Sequence, residues 1–173
     1  MRHLLKLHPD SRCDTVTAVD VDVARSRAGA LRLSYEVSGD IGGLRLPPIA
    51  APARTDELWR HTCFEAFIRP QAGAAYFELN FSPSTQWAAY RFDGYRTNMR
   101  AAETAAPRVD LQTAPACLNL VATLELGALP SGPWRLGLSA VIEEASGRLS
   151  YWALAHPPGR PDFHHADCFM CKI

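Results

Sequence analysis

Neither sign of charge is in excess. Lys and Arg number 18, and Asp and Glu number 18. The chain therefore lacks the basic surplus that phosphate contacts need, and nucleic acid is not an expected partner. The same balance leaves no polybasic anchor for an anionic membrane. Long apolar runs are missing too, and none approaches the ~20 residues of a bilayer-spanning helix. Lys6 interrupts Leu4, Leu5 and Leu7, so the N-terminus carries no signal-peptide core. No membrane partner is expected, and the cytoplasm is the expected location. A disulfide framework is absent: Cys13, Cys63, Cys117, Cys168 and Cys171 are odd in number and irregular in spacing. None is needed, because a chain of 173 residues buries roughly two-thirds of its unfolded surface as one domain, here 1–173. There is also no G-x-G-x-x-G, no P-loop and no G-x-S-x-G elbow.

Strand signals fill the space that helices leave. Thr15–Val23 alternates at period two, and Leu31, Leu33, Tyr35 and Val37 line one face of the next run. Further runs are Cys63–Ile68, Tyr76–Phe81, Gln86–Phe92, Leu118–Leu126, Trp134–Ile142, Leu149–Leu154 and Asp167–Ile173. Turn residues separate them, among them Ser82-Pro83-Ser84-Thr85, Ser131-Gly132-Pro133 and Ser146-Gly147. Ala101–Ala106 is the best helical candidate, and it is short. Many short strands with Gly and Pro turns predict an all-β chain, an antiparallel two-sheet β-sandwich of jelly-roll-like kind or a barrel.

The central hairpins concentrate the unusual residues. In the strand Ala75–Ser82, Phe77, Leu79 and Phe81 point to the core, and Tyr76, Glu78, Asn80 and Ser82 point away. If residues 69–74 close a hairpin, Glu65 shares the face of Glu78. If Ser82–Thr85 closes the next, Trp87, Ala89 and Arg91 join it, although a one-residue slip would scatter the set. Such a surface suits a sugar: an indole covers the C–H side of a pyranose, and carboxylate, amide and guanidinium groups meet its hydroxyls. Trp59, Trp152, Tyr90 and Tyr95 offer a second aromatic wall. A solvated face of cross-strand Glu and Arg pairs fits the same pattern. So does a glycoside-acting pair, Glu65 and Glu78, with one carboxyl of raised pKa.

His164, His165, Cys168 and Cys171 fall within eight residues and invite zinc, but the spacing is not that of a common zinc finger. In a final strand Cys168 and Cys171 would face opposite sides, and a buried structural role is the expectation. His61, His156 and Met99 raise non-covalent haem, since no C-x-x-C-H motif is present. No cofactor is expected; haem and calcium are the alternatives kept open.

Four segments carry a resemblance. L-W-R-H-T-C-F-E-A-F-I (Leu58–Ile68) and Y-F-E-L-N-F-S-P-S-T-Q-W-A-A-Y-R-F (Tyr76–Phe92) are joined by Y-W-A-L-A-H-P (Tyr151–Pro157) and P-D-F-H-H (Pro161–His165). Together they resemble the DOMON-like superfamily, which includes the family 9 carbohydrate-binding modules, and in particular a bacterial branch of it. The resemblance implies a two-sheet sandwich with a ligand site on or near one sheet, taking a sugar or haem. It places Trp59, Glu65, Glu78, Asn80, Trp87 and Arg91 along the site, with Trp152, His156 and His164 closing it. The expected function is non-catalytic binding of a small saccharide or sugar-like ligand. A protein-interaction domain using the same face is the alternative, ahead of the Glu65/Glu78 enzyme and the haem protein.

Overall fold

The computed structural model describes residues 1–26, 30–71, 73–125 and 132–173. Leu126 and Ser131, the ends of an expected strand and the start of an expected turn, lie outside them, as does Ala72 in the expected hairpin loop. The chain is all-β, with 53% of the described residues in strands and bridges. Chain order runs β1 (Arg2–Leu7), β2 (Val16–Arg25), β3 (Ala30–Gly39), β4 (Cys63–Pro70), β5 (Tyr76–Phe81) and β6 (Trp87–Phe92). It continues through β7 (Arg100–Ala101), β8 (Arg108–Ala114), β9 (Cys117–Glu125), β10 (Trp134–Glu143), β11 (Leu149–Ala153) and β12 (Cys171–Lys172).

The strands form one strongly curled antiparallel sheet, a half-barrel, in the order β7-β6-β5-β4-β10-β11-β1-β2-β3-β9-β8, with β12 beside β10. Two separate sheets were the expectation. Here β1 joins the halves: Leu5 pairs with Val19 of β2, and Leu7 pairs with Trp152 of β11. The core fills the inside of the curl. Val19, Val21, Leu33, Tyr35 and Leu120 from one half meet Phe64, Ile68, Leu79, Phe81 and Leu138 from the other. Each such side chain contributes roughly 1.5–3 kcal/mol by leaving water. The Tyr35 hydroxyl donates to the Glu65 carbonyl at 2.7 Å, so the halves are also tied by a buried hydrogen bond.

β4 and β5 are buried on both faces. Their outer face is roofed by the C-terminal segment, where Phe163 and Phe169 pack with Phe67, Tyr76, Ala88, Tyr90 and Phe92. That roof creates the setting for the site.

Several expectations change. Ala101–Ala106 is not a helix: Ala101 pairs with Tyr90 as part of β7, and Ala102 N–H donates to Ala89 O at 2.9 Å. Six residues cannot repay the cost of helix nucleation, whereas the β6 edge offers ready partners. Asp167–Ile173 is not a full strand, but a 3-10 turn (Ala166–Cys168) followed by the two-residue β12. β1 and β8 were not foreseen, and β8 is an edge strand with a mostly exposed pattern.

Candidate functional site

The site grows from the outer face of β4 and β5. Their register sets Glu65 opposite Asn80 and Phe67 opposite Glu78, so Glu65 and Glu78 share a face as diagonal neighbours. Both are nearly sealed, at 3% and 6% exposure, and Asn80 is fully buried. Asn80 Nδ2 donates to Glu78 Oε1 at 2.9 Å, and Ser139 Oγ donates to Glu65 Oε2 at 3.3 Å. Burial, reinforced by Glu78, pushes the Glu65 carboxyl well above the usual range. Burial raises Glu78 as well, opposed by the Asn80 hydrogen bond and by Arg96. Glu65 is thus the better proton holder of the two, and Glu78 the better carrier of charge. Asn80 Oδ1 is buried with no partner, and a protonated Glu65 across the strand pair is placed to supply one.

A relay of polar groups leads outward from this pair. Glu78 Oε2 lies 3.6 Å from His164 Nε2. His164 Nδ1 lies 2.7 Å from the Tyr76 hydroxyl, which accepts from Arg96 N–H at 3.2 Å. With Arg96 N–H on one of its lone pairs, the hydroxyl is free to give its own proton to Nδ1, in the tautomer that leaves the His164 hydrogen on Nε2, facing Glu78. Burial, helped by Arg96, lowers the His164 pKa to about 4, so the ring is neutral near pH 7. Asp162 fixes the outer end: it accepts from Arg96 at 2.8 Å, from the Tyr95 hydroxyl and from His164 N–H. Arg96 adopts a left-handed backbone (φ 52°), a conformation that costs a non-glycine residue about 1 kcal/mol and that these contacts hold in place.

Above the relay lies a cleft of about 380 Å³, lined by Arg69, Ala74, Tyr76, Tyr95, His164, His165, Ala166 and Phe169. Tyr95 is 56% exposed, with its hydroxyl tied to Asp162, so its ring is a fixed platform. Tyr76 and His164 are likewise spent on each other. Among the described residues, the side-chain donors left free in the cleft are the Arg69 guanidinium, stacked 4.6 Å over Phe169, and His165 Nε2.

The residues expected at the site divide. His164 lines the cleft, and Glu65, Glu78 and Asn80 form the buried layer beneath it. Trp87 and Arg91 sit on the opposite face, because Trp87 pairs with Phe81, Arg91 with Phe77, and Tyr90 with Glu78. The cause is the connection: Ser82 N–H bonds to Gln86 O, Thr85 is left-handed (φ 75°), and the loop is one residue longer than supposed. Trp87 belongs to the core, with Arg54 4.6 Å over its ring. Trp152 is a core residue whose indole N–H donates to Ser150 Oγ. His156 is held at the Lys6 carbonyl, against His8. Trp59 is 46% exposed under Arg60 and does not line the cleft. Tyr90 hydrogen-bonds Asp56 within the outer-face packing. Arg69, His165 and Phe169 were missed. The alternation Glu65, Phe67, Arg69 was the available signal for Arg69.

Among the described residues, no group of three His, Cys, Asp or Glu side chains is placed to hold a metal ion. Cys168 Sγ donates to the Ala155 and Asp162 carbonyls, so it braces the roof. His61 is bound to Glu143 at 2.7 Å, away from His156 and its Lys6 carbonyl.

No family model matches the chain, and no curated protein matches it significantly. Solved structures do. A candidate carbohydrate-binding protein from Bacteroides uniformis aligns over 98% of this chain and 84% of its own, with 14% identity and a TM-score of 0.72. A family 9 carbohydrate-binding module from Caldicellulosiruptor kristjanssonii, in complex with cellotriose, aligns over 92% and 74%, with 11% identity and a TM-score of 0.58. A family 9 module from the same organism, in complex with glucose, aligns over 87% and 72%, with 12% identity and a TM-score of 0.51. The fold is like that of the family 9 modules. At these identities the likeness concerns the fold alone.

Proposed function

We propose that this chain binds a carbohydrate in the cleft beneath its C-terminal roof, without transforming it chemically. The observation that carries the reading is the cleft's composition. The exposed ring of Tyr95 stands beside the free donors of Arg69 and His165, in about 380 Å³ over a floor that includes Tyr76 and Phe169, each only 2% exposed. A pyranose offers a C–H face to rings and a hydroxyl edge to donors, and this volume falls within the range of small-ligand pockets, which starts near ~300 Å³. The likeness to modules solved with cellotriose and glucose supports the same reading. Glu65 and Glu78 lie below His164 rather than on the cleft wall, so we assign them to positioning His164, not to glycoside cleavage.

Isothermal titration with glucose, cellotriose and amino sugars tests the reading. Binding by the wild type, weakened about two- to tenfold in Tyr95→Ala, is the expected result, since one stacked ring is worth ~0.5–1.5 kcal/mol. Equal binding by both proteins would remove the cleft from the account.

A further inference from the structure

A row of like charge runs beside the cleft. Arg69 on β4 stands directly opposite Arg135 on β10, and Arg135 stands directly opposite Lys172 on β12. Direct cross-strand partners share a face with Cβ atoms about 5 Å apart. Three cations therefore occupy consecutive positions across three strands. Their face is the outer one: Trp134, Leu136 and Cys171 turn into the core, and Arg69 lies over Phe169 in the roof. Among the described residues, no carboxylate forms an ion pair with any of the three. Arg2, Arg45, Arg60, Arg96, Arg100, Arg108 and Arg148 all have one. Like charges set directly opposite destabilise a sheet, so the row costs folding stability unless an anion answers it.

We propose that the ligand of the cleft is an anionic saccharide, whose carboxylate or phosphate is held by Arg69 while its ring lies against Tyr95. This rests on the saccharide reading above and narrows its ligand class. Arg69 is the member of the row that lines the cleft, and its guanidinium fork suits two parallel bonds to an oxyanion. Arg135 and Lys172 lie one and two strand spacings away, within or near the ~8–10 Å Debye length, and add attraction without contact. His164 contributes no charge, because it is neutral near pH 7 and both its ring nitrogens are engaged.

The test is isothermal titration of the whole chain at low ionic strength with glucose, glucuronate, glucose 6-phosphate and inorganic phosphate. Glucuronate, glucose 6-phosphate or both should bind about tenfold more tightly than glucose, the gain expected from one charge-assisted pair. The two arms separate a carboxylate from a phosphate. The preference should shrink in 0.5 M salt and in Arg135→Gln and Lys172→Gln, while the control Arg108→Gln retains it. Both test variants remove repulsion at exposed positions, so a slightly raised Tm at low salt should accompany the lost preference. Equal affinity for glucose and both acidic sugars would overturn the inference and leave the saccharide reading standing. Inorganic phosphate binding as tightly as the acidic sugars would overturn it in favour of a plain anion site. Failure of every sugar to bind would overturn both.

Discussion

Two pairs of buried glutamates sit on this sheet, and they are solved differently. Glu143 and Glu144, at the end of β10, are the better answered, although Glu144 Oε2 has an ion pair and no hydrogen bond. Glu143 accepts from Arg45 at 3.0 Å and from His61 at 2.7 Å. Burial pushes its carboxyl up, but those two bonds outweigh it and leave it below the usual value. Glu144 Oε1 accepts the backbone N–H groups of Asp14 and Thr15, and Arg148 approaches Oε2 at 3.4 Å. Glu144 staples the loop before β2 to the sheet, and Glu143 holds the segment between β3 and β4. Glu65 and Glu78 have one side-chain donor each, supplied by Ser139 and Asn80, apart from the longer approach of His164, and burial raises both. Burial alone thus does not mark a functional carboxyl. Burial without full pairing, beneath a cleft, does so better.

The largest effect expected from this contrast is in the stapled pair. Glu144→Ala strands two backbone donors and should cost about 2–3 kcal/mol in urea denaturation; a loss near zero would end the contrast. Next is His164. Its pKa is about 4 in the folded chain, below the ordinary ~6.5. The unfolded ring takes a proton first as pH falls, so stability is present above pH ~6.5 and lost on descending toward ~4, by up to about 3 kcal/mol. His164→Gln should flatten that decline, measured as unfolding free energy against pH. Smaller, and opposite in sign to an ordinary core mutation, is Glu65→Gln. A raised carboxyl pKa means stability is lost as pH climbs above the unfolded value, ~4.3. The glutamine cannot ionise and should add about 1 kcal/mol at pH 7, whereas Glu143→Gln should subtract a similar amount. Tyr95→Ala should change stability least, because the ring is exposed and surface changes stay near ~0.5 kcal/mol. Its effect should appear in saccharide titration instead.

The alternation of apolar and polar residues made much of this legible. β5 occupies Tyr76–Phe81 as read, and the shared face of Glu78 and Asn80 follows from period two alone, while Glu65 joins it through the β4–β5 hairpin register. Trp87 shows where that logic stops. Its face depends on the length of one turn, and the left-handed Thr85 adds a residue that alternation does not record. Trp152 failed for a related reason, since an indole with a local partner in Ser150 can be core. β1 was hidden because only Leu5 of its six residues is fully buried. The cleft itself was least legible. It is made where the C-terminal roof crosses β4 and β5, and long-range packing of Phe169 and His165 leaves no local pattern.

A crystal structure of the chain soaked with a saccharide that binds in titration would show directly whether the cleft is the binding site. A sugar ring is expected against Tyr95, with Arg69 within hydrogen-bonding distance and Glu65 and Glu78 untouched beneath His164. A sugar seated instead against Trp59, or one contacting Glu65 and Glu78 directly, would contradict it.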